Sequence, residues 1–61
     1  MTELHTEISH RAARAAQDLR AAKESGDDNL ATVREAELEG LARIAQEHGL
    51  RVPELAGYSA A

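Results

Sequence analysis

The stretch that most constrains the fold runs from Asp28 to Gly49, DNLATVREAELEGLARIAQEHG, because it carries a helix start, an apolar stripe and a helix stop in succession. Turning about 100° per residue from Leu30 brings Val33, Leu38, Leu41, Ile44, Ala45 and His48 within roughly 140° of one another. Glu35, Glu39, Arg43 and Gln46 fall on the other side. The spacing predicts an amphipathic helix over about residues 29–48 with its stripe turned to a core. Asp27, Asp28 or Asn29 offers a side-chain oxygen to the free N–H groups of the first turn, and negative charge there suits the helix dipole. At the far end Gly49 suits a left-handed cap, Leu50 folds back over Ile44 or Ala45, and Pro53 forbids continuation.

An earlier helix is predicted over about residues 3–25. Thr2 can cap it, Glu3 stands in its first turn, and Leu4, Ile8, Ala12, Ala15, Leu19 and Ala22 recur at alternating steps of four and three, the seam of a packed helix. Half of that seam is alanine, which buries little area. The compensation is close approach, since Ala12, Ala13, Ala15 and Ala16 leave room for larger side chains opposite. Ser25-Gly26-Asp27-Asp28 breaks the pattern, with a turn at 26–28, and so short a connection makes the helices antiparallel. Folding there sets Ala22 near Leu30 and Val33, Ala15 near Leu38 and Leu41, Ile8 near Ile44 and His48, and Leu4 near Leu50.

The expected fold is all-α: an antiparallel two-helix hairpin over residues 1–50 that pairs with a second copy into a four-helix bundle. Residues 51–61 read as an irregular tail. Val52 and Leu55 are expected to wrap the open end beside Leu4, with disorder from about Gly57. The ending Ser59-Ala60-Ala61 looks like tails that bacterial unfolding proteases recognise.

Size makes such a hairpin marginal, because a 61-residue chain buries only about 60% of its unfolded surface. Cysteine is absent, which rules out disulfides and thiolate metal sites, and Tyr58 is the only aromatic residue. No run approaches the ~20 apolar residues of a membrane span, and MTELHTEISH lacks the regions of a secretion signal, so the expected address is cytoplasmic. The formal charge of −4 is concentrated in the second helix: residues 27–49 hold Asp27, Asp28, Glu35, Glu37, Glu39 and Glu47 against Arg34 and Arg43. That balance speaks against phosphate backbones as the main partner.

Catalytic signatures are missing as well. There is no Cys nucleophile, no Ser in a glycine elbow, no phosphate-cradling glycine loop and no HExxH. Neither a catalytic residue, a cofactor nor a small-molecule substrate is expected. His5 and His10 lie about 140° apart on a helix and cannot share an ion. His48, level with His5 across the hairpin, raises a His5/His48 site, against the simpler reading of a helix-end histidine suiting the dipole. Arg34 and Glu37 interrupt the stripe: they form a local pair, Glu37 reaches Arg14 or Arg20, or the two set register in an oligomer. Gly40, one turn after Ala36 on the flank, costs about 1 kcal/mol relative to alanine and points to a contact surface.

The run ESGDDNLATVREAELEGLARIAQEHGL, about half the chain, resembles small uncharacterised helical-hairpin proteins of high-GC actinobacteria with a GDD turn before an acidic LARIAxEHG-type helix. The resemblance implies a bacterial, cytoplasmic protein and carries no activity with it. The architecture is also similar to a small RNA-binding hairpin that dimerises into a four-helix bundle, a likeness of shape alone. The leading expectation is a non-enzymatic interaction module, an adaptor or inhibitor, forming a homodimer or docking on a partner's helix. Its expected interface is Leu30, Val33, Ala36, Leu38, Gly40, Leu41 and Ile44 with Ile8 and Leu19. The alternative is a nucleic-acid-binding dimer using Arg11, Arg14, Arg20 and Lys23.

Overall fold

In a computed structural model, which describes residues 3–58, the chain forms two long helices and a short 3-10 helix. These are α1 (Glu3–Ser25), α2 (Asp28–Glu47) and η1 (Pro53–Tyr58). Among the described residues there is no strand, and no helix is long and apolar enough to cross a membrane. The expected Thr2 cap and the Ser59–Ala61 ending lie outside the described residues.

Both helix stops are glycine caps. Gly26 and Gly49 adopt positive φ, 77° and 66°, the left-handed conformation that a side chain disfavours. The residue after each glycine then returns its N–H to the last turn: Asp27 to the Ala22 carbonyl at 2.9 Å, Leu50 to the Ala45 carbonyl at 2.8 Å. Asp27 also opens α2, its Oδ1 accepting the Leu30 N–H at 3.1 Å and its carbonyl the Ala31 N–H at 3.0 Å. Of the three expected capping residues, Asp27 is the one that serves.

Contacts across the hairpin establish the antiparallel arrangement. Arg34 lies 3.7 Å from Asp18 and Lys23 lies 3.9 Å from Glu35, while at the other end the His5 Nε2–H donates to the Arg51 carbonyl at 3.0 Å. Ile8, Ala12, Ala15 and Leu19 of α1 pack with Leu38, Leu41, Ala42 and Ala45 of α2. Leu38 is fully buried.

The face of α2 that enters this core departs from expectation. Leu38, Leu41 and Ala45 are inside, as the stripe predicts, but Leu30, Val33, Ile44 and His48 are not. On a helical wheel the buried direction is turned by roughly 60° from the centre of the expected stripe. Two causes act together. Alanine against alanine lets the axes approach closely, and the C-terminal segment covers the same side, burying Val52 and Leu55 and packing Tyr58 against the cluster. Residues 53–58 are therefore an ordered third element. Gly57 and Tyr58, expected to be disordered, belong to η1, and Leu4, expected to be covered at the open end, stays exposed.

Candidate interaction surface

The two broad sides of the hairpin are chemically different. One carries His5, Ala16, Arg20 and Lys23 of α1 with Ala42 of α2, and the C-terminal segment crosses it. The other is bare among the described residues. On it α1 presents Leu4, Arg11 and Asp18, seven residues apart and hence on one face, together with Glu7 and Arg14. Opposite them, α2 presents Leu30, Val33, Arg34, Glu37, Ile44 and His48. Among the described residues, the large apolar side chains left in water all belong to this open side: Leu4 at 38% exposure, Leu30 at 36%, Val33 at 55% and Ile44 at 40%.

At the centre of the open side is a charged cluster. The Arg34 guanidinium donates to the Glu37 carboxylate at 2.8 Å, the local i, i+3 pair among the arrangements expected, and its Nε sits 3.7 Å from Asp18 of α1. That Nε is buried yet has no hydrogen bond. Arg11 is held by Glu7 at 2.9 Å on its own helix. Arg14 borders the same depression as Asp18, Arg34 and Glu37 and makes no ion pair among the described residues. The side is electrically balanced, with Glu7, Asp18 and Glu37 against Arg11, Arg14 and Arg34, while the chain as a whole carries −4.

The residues expected to form an interface divide sharply. Ile8, Leu19, Leu38 and Leu41 are consumed by packing within the chain. Leu30, Val33 and Ile44 remain on offer, with Ala36 exposed and Gly40 partly exposed on the outer flank. A Cβ placed on Gly40 would meet nothing within 4 Å, so the glycine is not required by any contact within the chain. Leu4, Arg14 and Asp18 were not anticipated as members of this surface. Their signal was the seven-residue spacing of Leu4, Arg11 and Asp18 beside the apolar seam.

The histidines do not converge. His5 binds the Arg51 carbonyl, and His48 donates through Nδ1 to the Ile44 carbonyl at 2.9 Å. Among the described residues no three His, Cys, Asp or Glu side chains are grouped to hold a metal. The basic residues of the nucleic-acid alternative are also dispersed. Arg11 and Arg14 lie on the open side, Arg20 and Lys23 on the covered one, and Lys23 is 3.9 Å from Glu35. Compared with protein-family models, with curated proteins and with solved structures, the chain gives no significant match.

Proposed function

We propose that the chain is a non-enzymatic interaction module that docks a helical partner on its open side, an arrangement that yields a four-helix bundle when the partner is itself a hairpin. The observation that carries this reading is the placement of Leu4, Leu30, Val33 and Ile44, all on the side left bare when the C-terminal segment covers the other. Leaving several large aliphatic side chains together in water forgoes about 25 cal/mol for each Å2 that burial would remove. Large apolar side chains left exposed together on one face of a small domain mark binding sites. The balanced charges between the apolar residues supply orientation rather than bulk affinity.

The nucleic-acid alternative has less support. Phosphate binding draws on clustered, available cations, whereas Arg11, Arg34 and Lys23 each lie within 4 Å of a carboxylate and the four basic residues of α1 are split between two sides.

The test is recovery of complexes from cells expressing a tagged chain, comparing natural sequence with Val33→Asp/Ile44→Asp and with an outer-face control, Glu39→Ala/Arg43→Ala. Complexes kept by the control and lost from the first variant are expected. Equal recovery with all three would sink the reading.

A further inference from the structure

We propose that the occupant of the open side is a second copy of this chain, with α2 lying antiparallel on the partner's α2 about a two-fold axis at Glu37. The inference rests on the interaction reading above and specifies its partner and geometry.

The first argument is the spacing of apolar residues about Glu37. Leu30 and Ile44 stand seven residues before and after it, Val33 and Leu41 four before and after. Offsets of four and seven return to the same face of a helix. When two such helices run in opposite directions with their Glu37 residues level, Leu30 meets the partner's Ile44, and Val33 lies over the turn of the partner's Leu41, whose side chain stays packed in its own core. The exposed Leu30 and Ile44 at the two ends of the stripe are matched by one operation, the self-complementarity that a two-fold interface requires. Stacking α2 on the partner's α1 instead would set Leu30, Val33 and Ile44 against Arg11, Arg14 and Asp18.

Charge gives the second argument. Two copies of an acidic chain repel unless the surfaces that meet are neutral, and the open side has three cations and three anions. At the axis two Glu37 carboxylates approach, each already held by its own Arg34 at 2.8 Å. Arg14, which makes no ion pair among the described residues, borders the same depression as Glu37. It supplies the further cation beside the gathered carboxylates.

Area is the third. The molecule is 36 Å long, and two helices each about 10 Å across present roughly 700 Å2 of such a side. A stable dimer buries about 800 Å2 per partner. The open side thus has the extent of a dimer interface.

Light scattering over a dilution series reads the mass, and cysteine substitutions read the geometry, because the chain has no cysteine of its own. A short thiol cross-linker should join Leu30→Cys to Ile44→Cys when the two variants are mixed and should leave Leu30→Cys alone unlinked, since antiparallel packing holds those two sites more than about 20 Å apart along the helices. Val33→Asp/Ile44→Asp changes only exposed side chains and should keep its helicity while weakening association at least about a hundredfold. Cross-linking of Leu30→Cys with itself, or no linkage in the mixture, would overturn the antiparallel arrangement. A chain that stays monomeric at every concentration overturns the second copy and leaves the open side for a different protein. A dimer of natural strength in the aspartate variant would overturn the use of this side altogether.

Discussion

Asp27 Oδ1 accepts the backbone N–H of Leu30 at 3.1 Å, while the N–H of Asp27 itself donates to the Ala22 carbonyl at 2.9 Å. One residue therefore closes α1 and opens α2. Removing the carboxylate should leave the first closure intact and lose the second. Asp27→Ala is expected to cost about 1 kcal/mol, a fall in Tm of roughly 4–8 °C for a domain of this size. Asp27→Asn should recover most of the loss, which thermal unfolding followed by circular dichroism will read.

Among the described residues, Leu38 is the one large side chain that is completely enclosed. Deleting it leaves a cavity between alanines too small to refill the space, and Leu→Ala changes of this kind cost about 2–5 kcal/mol. A core of this size rarely supplies more than about 3–5 kcal/mol in total. Leu38→Ala should be largely unfolded at 25 °C, with the helical signal lost in the far ultraviolet. A cooperative transition at the natural Tm would count against the central place given to Leu38.

Ala12 and Ala13 are neighbours in sequence with opposite environments, the first buried at the helix contact and the second exposed. Ala12→Leu should force the axes apart and destabilise by about 1–3 kcal/mol. Ala13→Leu should change stability by no more than about 0.5 kcal/mol. Denaturant midpoints of the two variants separate these outcomes, and equal effects would mean that alanine does not set the helix spacing.

The glycines divide in the same manner. Gly49 holds a φ of 66°, a conformation that costs an alanine about 1–2 kcal/mol, so Gly49→Ala should destabilise. Gly40 lies within regular helix with open space around it, and Gly40→Ala should stabilise the monomer by up to about 1 kcal/mol. If Gly40→Ala also weakens self-association, the flank of α2 takes part in the contact. Paired thermal melts and light scattering measure both effects.

Much of the fold is legible in the sequence because its ends are marked locally. Gly26, Asp27 and Gly49 each act through hydrogen bonds to residues within one turn, and no distant contact is needed to place them. The alternating seam of Ile8, Ala12, Ala15, Leu19 and Ala22 is equally direct, since α1 has one apolar face and therefore one way to turn. These local marks determined two helices, their lengths and their antiparallel packing.

Which side of α2 faces inward was decided only by tertiary structure. Its small and large apolar residues cover two adjoining faces, one with Ala31, Leu38, Ala42 and Ala45 and the other with Leu30, Val33 and Ile44, and helical spacing accommodates both. The choice falls to the first because α1 offers alanines that reward close approach, and because Val52 and Leu55 return from the far end of the chain to cover that side. Burial is a sum over segments distant in sequence, so no local pattern in α2 contains it. The same sum leaves Leu30, Val33 and Ile44 in water, and with them the surface on which the proposed function depends.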